Sequence, residues 1–333
     1  MTYEEHIKEI KTRRNDALVK DDEFVIEFPN PDFAHQVLSI CMDETNNYRE
    51  KYQSNLCFGI RYSSEINATA TSENIIFFNH SLIIEMEKII RDRIQFYNRD
   101  PFTSMSNIPI SEDELFRIFT KVTTTYLFYH ELAHIFQNQG VSFSSMSSFS
   151  ELHRKSKPYN EKKHLYEFDA DLLGIYFGTA FYLGFMIKNK HIHNPAIQLH
   201  TITLFIGIIG SLFLSFSGKR IIDVYYKEDS YPSEIVRIFT CVEQILHMFS
   251  EHAVYSSRAE PGSPFVSIVI HRAYSMLNIL YKDYSKNKYS EIVKECFQEI
   301  SKYKDEIEAL SDTRPELTRH KIQEIYKTIA EIE

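Results

Sequence analysis

The stretch AIQLHTITLFIGIIGSLFLSFSG, residues 196 to 218, is the most apolar in the chain, and it limits what the remainder can fold into. At about 20 residues it has the length needed to cross a bilayer. Gln198, His200, two Thr and three Ser interrupt it. A helix apolar on every side is also what the middle of a large helical domain requires. We read it as a buried core helix, with membrane insertion as the alternative. Either way, a chain organised around it is expected to be mainly helical.

Composition supports that expectation. Gly is scarce, 9 in 333 residues, which disfavours sandwiches built on glycine turns. With 46 acidic against 37 basic residues the formal charge is −9, and no dense Lys/Arg block occurs, so nucleic acid is not an expected partner. Cys41, Cys57, Cys241 and Cys296 form no close pair, which fits reduced thiols and excludes a cysteine-based zinc site by spacing. The opening MTYEEHIKEIKTRRND is polar, without an export pattern, and the expected location is cytoplasmic. Any bound metal must then rely on His and carboxylates.

Along the chain, helices are expected over 3 to 20, 33 to 52, 81 to about 98 and 112 to 138, with strands at 24 to 28, 56 to 70 and 74 to 79. Ser111 and Glu114 have the spacing of a capping box, and Gly140 is placed to stop that helix. The Ser-rich run 141 to 158 has no period and reads as a loop or lid. Asn160 is a candidate cap for the next helix, and further helices are expected at 265 to 284, 288 to 304 and 314 to 331. The simplest division is an N-terminal segment, 1–55, packed on a core of 56–262, followed by a helical extension, 263–333.

Within 112 to 138 lies HELAH. His130 and His134, four residues apart, leave the same face of a helix and can bind one ion. Glu131 is rotated by about 100° from His130, where a carboxylate can take the proton of a metal-bound water. A pentapeptide of this form also arises by chance, but its flanks Tyr126, Leu127, Phe128, Ile135 and Phe136 suit a helix in a domain centre. The second half is EFDAD at 167 to 171. Glu167 can supply a third ligand from another helix, leaving a position for water. Asp171, one turn later, can accept the ring N–H of a ligating His. Asp169 points elsewhere. His153 and His164 are alternative third ligands.

HELAH followed by ExxAD resembles the gluzincin metallopeptidases of the CaaX-protease and HtpX type. INATATSENIIFFNHSL, 66 to 82, is similar to that family's N-A-x-A segment and following strand; this implies an edge strand at Ala68, Thr69 and Ala70 that pairs with substrate backbone. DSYPSEIVRI, 229 to 238, resembles the family's H-P-x-x-x-x-R segment, with Pro232 and Arg237 in place and Tyr231 where the family usually has His. The resemblance implies that Tyr231, with Arg237, steadies a tetrahedral oxyanion. It covers about 66 to 238 in four islands. A weaker resemblance, resting on size and cytosolic character, is to the Lit-type phage-exclusion peptidases. Together these readings give a mainly α (α+β) fold: a zincin-like metallopeptidase core with a small edge-strand sheet and a helical C-terminal extension. The expected function is a zinc-dependent metalloendopeptidase with one zinc per chain, acting on a protein or peptide bound in extended form. The rival readings are a catalytically silent zinc-binding module and a membrane-associated quality-control or phage-exclusion protease.

Overall fold

The computed structural model describes residues 1–14, 24, 31–99, 110–138, 158–189, 191, 194–216, 224, 226–229, 231–251, 264–281 and 288–331. Among them are ten α-helices and a three-stranded sheet, which packs chiefly against the first four helices. In chain order these are α1 (Tyr3–Arg14), α2 (Pro31–Tyr52), β1 (Cys57–Arg61), β2 (Ala68–Ala70), β3 (Ile75–Asn79), α3 (His80–Arg99), α4 (Glu112–Asn138), α5 (Glu161–Lys188), α6 (Pro195–Phe216), α7 (Glu234–Glu251), α8 (Pro264–Tyr281), α9 (Tyr289–Glu308) and α10 (Glu316–Glu331).

Alternation along β3 explains the sheet's position. Ile76 and Phe78 turn to the main core, while Ile75 and Phe77 pack with Ile10 of α1, Phe24 and Cys57 in a smaller cluster. Both faces are covered, so the strand is apolar at nearly every position. The single strand expected over 56 to 70 is two. The polar run YSSEIN interrupts it, β1 pairs parallel with β3, and β2 folds back antiparallel on β3's other side. The sheet order β1-β3-β2 leaves β2 at an edge. Of the strand expected at 24 to 28, Phe24 bridges Arg61, and 25–28 lie outside the described residues.

The helix starts follow local chemistry. The Ser111 hydroxyl accepts the backbone N–H of Glu114 at 3.2 Å, and the Asn160 side chain accepts that of Lys163 at 3.1 Å. Each satisfies a donor that the first turn of α4 or α5 would otherwise leave orphaned. Gly140 and the Ser-rich run up to 157 lie outside the described residues. One helix was not foreseen: α7, whose apolar positions Ile235, Ile238, Phe239, Val242, Ile245 and Phe249 follow a helical period.

The apolar segment forms α6, which is buried by the protein itself over nearly its whole length. It packs against α3, α7 and α8. Such burial is what a core helix shows; α6 and α5 are nonetheless both long and apolar enough to cross a membrane. The C-terminal helices share this core: Tyr281, Tyr289, Ile300, Ile307 and Ile322 belong to the same buried cluster as Phe33 and Phe58.

A candidate metal centre between two crossing helices

The site depends on how closely α4 and α5 approach. A Cβ on Gly174 would stand 2.7 Å from the backbone oxygen of Tyr126, closer than real Cβ atoms come. Only glycine permits this crossing. Tyr126 is one turn before His130, and Gly174 is one turn after Asp171, so the contact brings the two sequence motifs face to face.

His130, His134 and Glu167 converge there, each buried, with one ligand atom apiece within 4.8 Å of the others. The two Nε2 atoms are 3.2 Å apart; Glu167 Oε2 lies 3.7 Å from His130 Nε2, and Oε1 lies 3.6 Å from His134 Nε2. Ligands at the usual zinc bond lengths in a tetrahedron stand about 3.4 Å from each other. The spacing of this donor set therefore fits a single ion.

The remaining ring nitrogens fix the tautomers. His130 Nδ1 is 3.0 Å from Asp171 Oδ1, which as a carboxylate oxygen accepts. His134 Nδ1 is 2.7 Å from Gln137 Oε1, and the amide is oriented by Gln137 Nε2 donating to the Tyr166 carbonyl at 2.9 Å. With His134 Nδ1 bonded to Gln137 and His130 Nδ1 facing the Asp171 carboxylate, the two Nε2 atoms face one another across 3.2 Å. That arrangement requires a cation between them: a proton or a metal ion.

Electrostatics point the same way. Burial, which lowers a histidine's pKa, is outweighed at His130 by Asp171 and the nearby glutamates, and the ring is pushed up to about 9. At His134 burial and the charge on His130 act together, and the ring falls to about 3. One proton is thus held by the pair. Asp171 is kept well below the carboxylate range: burial would raise it, but the Arg237 guanidinium and His130 outweigh that. Arg237 Nε donates to Asp171 Oδ2 and Nη2 to Oδ1, both at 2.8 Å, and Nη2 is 3.2 Å from Glu167 Oε2. The Tyr126 hydroxyl donates to Asp171 Oδ1 at 3.0 Å. Glu167 and Asp171 thus set two buried carboxylates against one guanidinium, with Glu131 buried nearby, an acidic excess that a cation would offset.

Glu131 is buried beside the cluster, in a small cavity that it shares with His130, Arg237, Ala68 and Phe216. The edge strand β2 is therefore next to the centre, with Ala68, Thr69 and Ala70 all buried. Arg237 lines this cavity too, with Nε and Nη2 engaged by Asp171 and Glu167. Tyr231, just before α7, is buried with its ring 5.3 Å from the ammonium of Lys163, which lies in the first turn of α5, one turn before Glu167. Asp169 does point elsewhere: Arg314, just before α10, donates from Nε to both of its oxygens at 2.9 and 3.0 Å. His164 is not with the ligands either. Its Nε2–H donates to the Asp229 carbonyl at 3.0 Å, and its Nδ1 meets the Tyr303 hydroxyl. His153 lies outside the described residues.

Sequence reasoning missed Gln137, Tyr126 and Gly174. The first carried a usable signal, because a Gln three residues after a ligating His shares its helix face.

Comparison of the chain with family models, with curated proteins and with solved structures gives no match.

Proposed function

We propose that the protein is a zinc-dependent metalloendopeptidase of the cytoplasm. The observation that carries this reading is the convergence of His130, His134 and Glu167 at ligand spacing with Glu131 on the same helix and beside them. Two imidazoles and a carboxylate suit zinc among the divalent metals, and three protein ligands leave a coordination position for water. Bound zinc would supply Lewis acidity, acidifying its water and polarising a scissile carbonyl.

The chain's own residues would do the rest. Glu131 accepts a proton from the attacking water and delivers it to the leaving amine nitrogen. Asp171 and Gln137 hold the two imidazoles in the ligating tautomer. Arg237 keeps Asp171 ionised and lies 3.2 Å from Glu167 Oε2. Tyr231 offers a hydroxyl for the oxyanion. An extended substrate would add to the outer edge of β2, as expected for strand addition.

One observation favours a second reading. His130, Glu131, His134 and Glu167 are at most 3% exposed, as in a structural metal site that never meets substrate. Elemental analysis and peptidase assays on wild type and Glu131→Gln separate the two. A peptidase contains one zinc in both proteins and loses turnover in the variant. A structural site binds zinc in both and hydrolyses nothing in either.

A further inference from the structure

A second cleft lies away from the metal centre. It has a volume of about 320 Å³ and is formed by α2, α4, α5 and α10. On α4 it is lined by Tyr129, Leu132 and Phe136. These residues are rotated by roughly 145° from the face that carries His130 and His134. The cleft and the metal site thus occupy opposite sides of the same two helices.

Its walls are aromatic and its rim is cationic. The Tyr48 and Tyr52 rings lie 4.7 Å apart, and Tyr129 stacks on Phe177 at 3.6 Å. Tyr52 is 40% exposed at the rim. Two ammonium groups converge on its ring, Lys321 at 4.1 Å and Lys51 at 5.0 Å from the centroid. Lys321 donates to the Tyr52 hydroxyl at 2.9 Å and is also paired with Glu324 at 2.7 Å. Among the described residues no carboxylate pairs with Lys51. A further carboxylate, Glu44, borders the box and accepts from the Tyr129 hydroxyl at 2.8 Å; the cationic side is the Tyr52 rim, where Lys51 and Lys321 converge.

We propose that this cleft binds a planar aromatic anion, a ring system bearing a phosphate or carboxylate group. The volume suits a small ligand. A flat ring finds stacking partners in the tyrosines. The anionic group meets Lys51 and Lys321, whose ammoniums already stand over an aromatic face. The inference is independent of any metal or peptidase activity.

The test uses the full chain with naphthyl phosphate, naphthoate and neutral naphthol as probes. The protein has no tryptophan, so naphthyl emission is read without an indole background. Expected is a saturable rise in anisotropy at one probe per chain for at least one of the two anions, and their relative affinities tell phosphate from carboxylate. Binding of that anion should weaken by about tenfold in Lys51→Gln. Tyr52→Ala, at an exposed ring, should weaken all three probes. The proposal is overturned if neither anion saturates, if Lys51→Gln binds like wild type, or if naphthol binds as well as the anions.

Discussion

Arg237 grips Asp171 with two parallel hydrogen bonds, Nε to Oδ2 and Nη2 to Oδ1, both 2.8 Å long, inside a protein interior where each side chain is 2% exposed. The pair links α7 to α5 and sits directly behind His130. Replacing Arg237 with Met removes one partner and strands the other, which for buried pairs costs about 3–5 kcal/mol. Urea unfolding of the metal-free protein checks this, and Arg237→Lys, which cannot reproduce the fork, should recover only part of the loss. A loss below about 1 kcal/mol would mean that the interior rearranges to solvate Asp171.

Gly174→Ala should damage both stability and the metal site. Its Cβ meets backbone, which cannot swing away as a side-chain tip can, so α5 must retreat from α4. Overpacking of this kind costs about 1–3 kcal/mol, and metal affinity should fall with it because Glu167 and Asp171 ride on α5. Gly184 is the control on the same helix. Nothing lies within 4 Å of a Cβ there, and Ala should be neutral or stabilising by up to about 1 kcal/mol. Thermal melts and metal titrations of the two variants should diverge.

Gln137→Ala frees the Nδ1 side of His134 while leaving every ligand atom in place. Loss of such an orienting partner lowers metal affinity by about 10–100-fold. Competition with a chelator measures it. An unchanged affinity would show that packing alone holds the ring.

His164 gives a pH dependence with a definite sign. Burial lowers its folded pKa to about 4 against an ordinary 6.5, more than the Asp229 carbonyl and carboxylate raise it, and the Arg237 charge adds to the lowering. The unfolded chain therefore binds the proton first as pH falls. The stability contributed by this residue is fully present above about 6.5 and is lost down to about 4, at ~1.4 kcal/mol per pH unit in the steepest part. In His164→Gln, which keeps an acceptor and a donor without titrating, the slope of stability against pH over that window should be shallower. Equal slopes in denaturant titrations would place the acid sensitivity with other buried groups such as His200, which is also lowered to about 3.

Much of the centre was legible because a helix converts sequence spacing into direction. HELAH and EFDAD each put their working residues one turn apart, and the caps at Ser111 and Asn160 fix where both helices begin. Gln137 and Tyr126 were harder, since a Gln at one turn and a Tyr at another look like ordinary helix faces until the crossing angle is known. The contacts of Arg237 with two carboxylates on another helix were not readable from its motif. The sheet order resisted for a related reason. That β3 would slot between β1 and β2 depends on pairings across many residues, and short apolar runs do not encode their neighbours. The aromatic cleft was invisible: Tyr48, Tyr129 and Tyr176 come from three helices, and no local pattern joins them.

The covered state of α6 has a consequence for biosynthesis. Helices α3 and α4 precede it on the ribosome, but α8, which packs along it, begins roughly 50 residues later. At ordinary elongation speeds that is a delay of roughly 2–10 s. For those seconds the nascent chain presents a helix with the length and hydropathy of a bilayer span and only part of its final cover. Slowing translation after residue 216 should thus increase capture of the nascent chain by chaperones or membranes, whereas the finished protein keeps the same segment sealed inside.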